Sequence, residues 1–441
     1  MPCRDRYGYA LTTSPEAAAA YDRGLGDLLR LRHGAAAGIA AAVAIDPTFA
    51  LGHAALALLG HEMCLEVDLG ARMRDAALHA ARGTERERSH VHAVLAHVRG
   101  DSRPLLRHLE DHPRDALLLS SAVPTIAFAG ATEVPEEAWA LVERAAPAYG
   151  EDWWFAGLLG FVRQEQRRYD DAMDLACRSL AVEPAAGHAA HARAHAHYET
   201  GDHAAGLAWM DGWIAEEGRT TDGASHFSWH AALHELSLGD LDAVRRRHAG
   251  QLRPELGLGC RALVDTGSLL FRWALTPGAT EVPGLDAVVA VTGHDVLERP
   301  ATPFLALHAA VVLLAVGDGA GLDRLARRSD AHDHPVHREV VAPLARALRM
   351  LADGRASEAA DALARLAGPS RRLGGSDAQR EVLEETRIAA LLRGGRLEEA
   401  GRLLDERLDR RPSVRDRRWR AVASGQRDGV ALDGERDLAE G

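Results

Sequence analysis

Histidine is concentrated in one stretch of this sequence, at spacings that would place several imidazole rings together. Residues 188–235 carry eight of the 23 histidines. In two runs within the stretch, successive histidines are three or four positions apart, and residues at these distances share one face of an α-helix. The first run is His188, His191 and His195, and the second is His226, His230 and His234. The spacing therefore predicts two histidine stripes on two helices.

Imidazoles gathered in this way allow three kinds of chemistry. Neutral rings bind zinc and similar ions, and a pair four residues apart supplies two ligands. Histidine also transfers protons near neutral pH, or holds a substrate carboxylate or hydroxyl. We predict His191, His195 and His230 as catalytic groups, with Glu199 as a nearby carboxylate. The alternative is that the rings only pack two helices together, partly exposed or bonded to backbone carbonyls. The HExxH zinc motif is absent, and the sequence does not identify which cofactor or metal the histidines would hold.

The chain has a helix, turn, helix rhythm with a period of roughly 30 to 40 residues, which is typical of helical repeat proteins. Ser14 followed by Pro15 predicts a helix start, because serine caps helices and proline fits their first turn. Helices are predicted from Ser14 to about Leu31 and over residues 35–45.

The clearest repeat begins at Arg168. Alanines follow at the positions where two helices would cross, Pro184 precedes the next helix, and Gly201-Asp202 forms a turn after it. This is the tetratricopeptide pattern. The predicted fold is therefore all-α, a tetratricopeptide-like α/α solenoid of antiparallel helix pairs, forming a single array over residues 1–424. Residues 425–441 are predicted to be a mobile acidic tail.

Both histidine stripes fall on equivalent helices of this predicted array. Residues 185–200 and 225–238 would be first helices of successive repeats, with residues 203–216 as the second helix between them. Neighbouring first helices lie about 10 Å apart on the concave wall of such an array. The histidines expected to face one groove are His191, His195, His226 and His230. The only strand-like piece is Val288 to Val291.

Composition excludes several classes of protein. A net charge of −12 argues against binding to nucleic acid or to anionic membranes. The longest apolar run, residues 304–316, is too short to span a bilayer. The four cysteines lie far apart without CxxC spacing, which favours a reducing compartment. The expected location is the cytoplasm.

At the histidine cluster the sequence resembles the tetratricopeptide repeat protein 38 family, whose pattern is HxxxHxHE followed by HNxWH. The matching residues here are His191, His195, His197, His226, Trp229 and His230. Further matches are Asp265 with Arg272 and the GGSxAQR-like stretch, which contains Gly375, Ser376, Gln379 and Arg380. The resemblance covers nearly the whole chain, and it implies a tetratricopeptide-type helical fold. It also implies ligand-binding roles for His197, His226, Trp229 and Asp265.

Several polar residues of the family pattern are replaced. Tyr198 stands where the family has glutamate, and Phe227 replaces the asparagine of HNxWH. An asparagine–aspartate pair becomes Leu305-Ala306 before His308, the last candidate ligand-binding residue. If the family shares a chemistry, this chain has altered or abandoned it.

The turn before Gln379 has two interpretations. Backbone N–H groups at Gly375 and Ser376, together with Gln379 and Arg380, would hold an anion. Alternatively, Ser376 only caps a helix and Arg380 bonds a neighbouring repeat. The predicted function is a repeat protein that binds a small molecule or peptide in a histidine-lined concave groove. The alternative is an enzyme that uses His191, His195, His226 and His230 for acid–base or metal-assisted chemistry on a small polar substrate.

Overall fold

A computed structural model describes residues 3–126, 128–221, 224–257 and 260–425 of the chain. Within these ranges it contains 24 α-helices, and the only sheet has two strands of two residues each. The all-α prediction is therefore confirmed. None of the described helices combines the length and the apolar character needed to cross a lipid bilayer.

The chain folds into two compact units. The N-terminal unit contains residues 1–193 and 213–224, and the C-terminal unit contains residues 194–212 and 225–441. The prediction of one continuous array stays a prediction. The predicted acidic tail, apart from its first residue, lies outside the described residues.

The N-terminal unit begins with a short hairpin that the sequence does not predict. Its antiparallel strands are β1 (Cys3–Arg4) and β2 (Ala10–Leu11). Ten helices follow: α1 (Pro15–Arg30), α2 (Ala35–Ile45), α3 (Ala50–Met63), α4 (Leu69–Ala80), α5 (Glu85–Val98), α6 (Arg103–Asp111), α7 (Ala116–Ala122), α8 (Pro135–Tyr149), α9 (Trp153–Glu165) and α10 (Tyr169–Val182).

Two helices belong partly to each unit, and the rest lie in the C-terminal unit. The shared helices are α11 (Gly187–Thr200) and α12 (His203–Glu216). The others are α13 (Ala224–Leu238), which begins at the last residue of the N-terminal unit, α14 (Leu241–Gln251), α15 (Ser268–Leu275), α16 (Asp286–Thr292), α17 (His294–Glu298), α18 (Pro303–Ala315), α19 (Gly319–Asp330), α20 (Ala342–Ala352), α21 (Ala356–Arg365), α22 (Asp377–Arg393), α23 (Leu397–Arg410) and α24 (Val414–Ala423).

Helix ends follow the capping residues in the sequence. The Ser14 hydroxyl accepts a hydrogen bond from the N–H of Ala17 at 3.2 Å, as the predicted cap of α1. The predicted bounds of α2 and α12 agree with the structure. The extended piece predicted at Val288 to Val291 is wrong, because these residues lie inside α16 with Val288 fully buried. Burial of one helix face there outweighs the β preference of valine.

The described part of the C-terminal unit contains two π-helical stretches, His337–Val341 and Ala262–Gly267, and the latter, called here the π-helix, continues into α15. Its wider turn shifts the helical register by one residue, and such turns are frequent at functional sites. All six of its residues are buried. The π-helix therefore presents Asp265 to the interior of the unit.

Helices α1 and α2 pack closely at Gly24 of α1. A Cβ atom added at Gly24 would lie 2.8 Å from the backbone nitrogen of Ile39 and 3.0 Å from the carbonyl oxygen of Ala35. We expect Gly24→Ala to destabilise the N-terminal unit by roughly 1–3 kcal/mol through overpacking, although alanine is the better helix former.

Urea unfolding followed by circular dichroism measures this change. The matched control is Gly212→Ala in α12, where an added Cβ meets nothing within 4 Å. Alanine there is expected to stabilise by about 0.5–1 kcal/mol. Equal effects at the two glycines would contradict close packing of α1 on α2.

Candidate functional site

Helix α13 and the π-helix bring a carboxylate and two imidazoles into contact in the C-terminal unit. Asp265 Oδ1 accepts a hydrogen bond from His226 Nδ1–H at 2.7 Å, and Asp265 Oδ2 accepts one from the Ser225 hydroxyl at 2.9 Å. On the other side of the ring, His226 Nε2 lies 3.2 Å from His230 Nε2. An ionised carboxylate only accepts, so Asp265 fixes the proton of His226 on Nδ1. His230 Nε2–H then donates to His226 Nε2.

A third imidazole comes from α11. The ring centroid of His195 lies 4.5 Å from that of His230, with the planes at 69°. Both side chains are buried, as are His226 and Asp265. We call His195, His226, His230 and Asp265 the histidine cluster. Three of the four histidines predicted to face one groove therefore meet within one unit.

The fourth histidine, His191, belongs to the N-terminal unit. It lies one turn before His195 on α11, and its ring stacks on Phe161 with centroids 5.1 Å apart. His191 is also buried.

Trp229 packs between the cluster and a buried arginine. Its ring is fully buried and stacks on His226 with centroids 5.2 Å apart, while the His230 ring meets it edge-on at 4.9 Å. The Arg272 guanidinium lies 5.7 Å from the Trp229 centroid. Trp229, predicted as a ligand-binding residue, therefore orients both imidazoles by packing.

His308, on α18, has the least satisfied ring in this unit. The side chain is 1% exposed, and neither ring nitrogen has a hydrogen-bond partner among the described residues. Burial lowers the pKa of His308 to about 3, and the charge of Asp265 acts on it in the opposite direction. A buried polar atom without a partner costs free energy, so the His308 ring is unfavourable for the stability of this unit.

The imidazoles of His195 and His226 are neutral at pH 7. Burial lowers the pKa of His195 to about 3. Burial also lowers the pKa of His226, and this effect exceeds the opposite effect of Asp265. Neutral rings keep a nitrogen lone pair, which metal binding and proton abstraction both require.

Two predicted site residues face other partners. His197 Nδ1 lies 3.5 Å from a carboxylate oxygen of Asp202. Glu199 Oε2 accepts a hydrogen bond from Arg411 Nη1 at 2.8 Å. The carboxylate that contacts the imidazoles of the histidine cluster is therefore Asp265, whereas the predicted Glu199 bonds Arg411.

The turn before α22 has local contacts that account for its polar residues. Ser376 Oγ accepts from the N–H of Gln379 at 3.3 Å, and Gln379 Oε1 accepts from the N–H of Ser376 at 3.0 Å. This is a capping box. Arg380 Nη1 donates to the carbonyl oxygen of Gly374 at 3.0 Å and also to that of Gly375. These contacts favour helix capping over anion binding.

A second histidine pair, His203 and His234, lies beside Tyr198, one of the residues that depart from the family pattern. His203 Nδ1 and His234 Nδ1 are 3.1 Å apart, and His203 Nε2 donates to the carbonyl oxygen of Pro412 at 3.1 Å. The Tyr198 hydroxyl donates to Glu381 Oε2 at 2.7 Å. Tyr198 stands where the family pattern has glutamate. It therefore hydrogen-bonds a carboxylate, that of Glu381, instead of supplying one.

In the N-terminal unit, the buried carboxylate of Asp115 accepts hydrogen bonds from two imidazoles and one guanidinium. This group was not predicted from the sequence. Asp115 Oδ2 accepts from His90 Nδ1–H at 2.7 Å, from His108 Nε2–H at 3.1 Å and from the Arg86 guanidinium. His90, His108 and Asp115 have the donor types of a metal site. The Arg86 guanidinium donates to the same carboxylate oxygen, Asp115 Oδ2. This ion pair favours a structural role for the three residues over metal binding. His90 and Asp115 are 25 positions apart, so no helical spacing indicated their contact.

No protein-family model matches this sequence. The resemblance to the tetratricopeptide repeat protein 38 family therefore stays a prediction.

Proposed function

We propose that this chain is a tetratricopeptide-type helical protein that binds a small ligand at the histidine cluster. Support for the repeat geometry comes from α9 and α10. A Cβ atom added at Gly160 of α9 would lie 3.3 Å from the carbonyl oxygen of Ala172 on α10. Paired helices that cross at small residues are typical of tetratricopeptide repeats.

The ligand that best fits the cluster is a divalent transition-metal ion such as zinc. Zinc binds nitrogen at about 2.0–2.1 Å in tetrahedral sites, which places two nitrogen ligands roughly 3.3 Å apart. The two Nε2 atoms of His226 and His230 are 3.2 Å apart. The hydrogen bond from His226 to Asp265 is the observation that carries this proposal, because histidine ligands commonly donate their other N–H to a carboxylate.

Distance alone does not distinguish this cluster from the pair of His203 and His234, whose nitrogens are 3.1 Å apart. That pair is bonded to a backbone carbonyl, and among the described residues no carboxylate is hydrogen-bonded to it as Asp265 is to His226. The third imidazole and the carboxylate therefore favour the histidine cluster.

Burial favours a small ligand over a peptide. His195, His226 and His230 are each at most 1% exposed. A peptide in an open groove contacts exposed side chains, whereas buried polar groups recognise ions and small polar molecules.

An enzyme that uses the same residues without a metal is the second candidate. The hydrogen bonds from His230 to His226 and from His226 to Asp265 form a relay in which Asp265 stabilises a proton gained by the imidazoles. His230 would be the general base toward a small polar substrate.

Elemental analysis of the purified protein tests the metal proposal. We expect about one equivalent of a transition metal per chain. His226→Ala with His230→Ala should remove it, and Asp265→Asn should weaken its affinity roughly 10–100-fold, as loss of an outer-shell partner does. The matched control is His203→Ala with His234→Ala, which should keep the metal.

Absence of metal in the wild-type protein, together with no binding of added zinc at neutral pH, would overturn the metal proposal. The second candidate predicts instead that mass spectrometry finds a small organic molecule released on heating. That molecule should be missing from the His226→Ala, His230→Ala variant and present in the control. Circular dichroism of each variant verifies that it is folded.

A further inference from the structure

The N-terminal unit contains a hydroxyl, an imidazole and a carboxylate in one hydrogen-bonded chain. His97 Nε2–H donates to Glu62 Oε1 at 2.7 Å, and His97 Nδ1 lies 2.9 Å from Ser102 Oγ. Glu62 and His97 are buried, whereas Ser102 is half-buried. In hydrolases with this arrangement, the hydroxyl is the nucleophile, the imidazole is the base and the carboxylate orients the imidazole. The arrangement is identified by its geometry, because the order of the three residues along the chain varies.

Local structure brings Ser102 back to His97. Helix α5 ends just after His97, and Gly100 has φ +92°, a left-handed conformation that reverses the chain. Gly100 N–H and Asp101 N–H bond to the carbonyl oxygens of His97 and Ala96. The turn therefore fixes Ser102 five residues after His97 and beside its ring.

The protonation states follow from Glu62. Burial would raise the pKa of Glu62, but His97 and the Ala129 N–H bond hold that pKa below its ordinary value. An ionised Glu62 accepts only, so the proton of neutral His97 resides on Nε2. His97 Nδ1 then has a lone pair directed at the Ser102 hydroxyl. The last turn of α5 also stabilises positive charge on His97.

Ser102 lies at the start of α6 without capping it. Its side chain makes no capping hydrogen bond, although serine is a preferred cap. The hydroxyl is engaged by His97 instead.

We propose that Ser102, His97 and Glu62 form a nucleophilic site that hydrolyses small carboxylic esters. Ser102 Oγ attacks the acyl carbon while its proton passes to His97 Nδ1. The bond from the acyl carbon to the alkoxy oxygen breaks, and the alcohol leaves with that proton. Water then attacks the acyl-serine, giving its proton to His97, and the carboxylic acid leaves as the proton returns to Ser102 Oγ.

A second serine in the same unit provides a matched control. Ser89 Oγ lies 2.8 Å from His108 Nδ1, and His108 Nε2–H donates to Asp115. Ser89 is inside α5, where backbone N–H groups are bonded within the helix. Asp115 is also shared with Arg86 and His90. Ser89 therefore faces an imidazole paired with a carboxylate, as Ser102 does, but its carboxylate is shared with two further donors.

Labelling with a fluorophosphonate tests the proposal on the full chain. We expect one adduct, located at Ser102 by peptide mass spectrometry, in which an Oγ–P bond has replaced the P–F bond. Ser102→Ala should abolish labelling and the hydrolysis of 4-nitrophenyl acetate, and Ser89→Ala should change neither. His97→Gln should slow labelling roughly 10²–10⁴-fold, the usual contribution of a general base.

Glu62 is a positioning residue, and its test needs a separate measurement. His61 is the other titratable group facing His97, with ring centroids 6.1 Å apart. Glu62→Gln should displace the pH profile of labelling toward lower pH, because the carboxylate no longer stabilises the protonated ring. A folding defect would instead lower labelling equally at every pH. An adduct at Ser89, or labelling of Ser102 no faster than in the urea-unfolded chain, would overturn the proposal.

Discussion

Replacing Glu385 with glutamine is expected to destabilise the C-terminal unit by about 3–5 kcal/mol, the usual cost of breaking a buried ion pair by removing one charge. Glu385 is completely buried on α22. Its carboxylate accepts from Arg415 at 2.7 and 3.1 Å and from Arg272 at 3.0 Å. Glutamine has almost the same shape, so the expected loss comes from charge and not from volume.

The size of this effect depends on the two arginines that remain. Arg272 and Arg415 are also buried, with side-chain exposures of 0% and 4%. Arg272 bonds the carbonyl oxygens of Ala378 and Gln379 at the start of α22. Without Glu385, two positive charges stay in the interior with only neutral acceptors, and such charges are costly to desolvate.

Urea unfolding of the wild type and Glu385→Gln at pH 7 measures the change. Glu358→Gln is the matched control, since Glu358 forms an exposed pair with Arg355. Exposed pairs contribute little, so no measurable change is expected there. A small effect at Glu385 would mean that water reaches this part of the interior.

Asp115→Asn is expected to have the largest effect in the N-terminal unit, also several kcal/mol, of the order of a broken buried ion pair. Asparagine still caps α7, so the cap itself is retained. The charge that holds Arg86 and His90 is lost. Asp68→Asn at the exposed cap of α4 is the control, and we expect it to be almost neutral.

The effect of Asp115 should depend on pH with a defined sign. Burial would raise the pKa of Asp115, but Arg86 and His90 hold that pKa well below its ordinary value of 3.8. A carboxyl whose pKa is lowered by folding stabilises the protein fully above its unfolded pKa, and this contribution is lost as pH falls. The difference in unfolding free energy between wild type and Asp115→Asn should therefore be constant from neutral pH down to about pH 5 and shrink below it. A difference that grew on acidification would contradict this assignment.

Local rules were sufficient to predict several helices. Ser14 before Pro15 predicted the start of α1, and the helices over residues 35–45 and 203–216 were predicted at the bounds they have. Such signals act within a few residues, through caps, turns and helix propensity. The extended piece predicted at Val288 to Val291 was wrong, because burial of Val288 in α16 decided the conformation of this segment.

The sequence by itself determined the helical class and the two histidine stripes, because both depend on contacts over three or four residues. Tertiary structure alone decided which carboxylate each imidazole meets. His226 bonds Asp265, which is 39 residues away, while the nearby Glu199 bonds Arg411. It also brought Glu62 to His97, 35 residues away, which no spacing indicated. Buried polar groups must find partners wherever the packing of helices puts them, and helical periodicity carries no information about that packing.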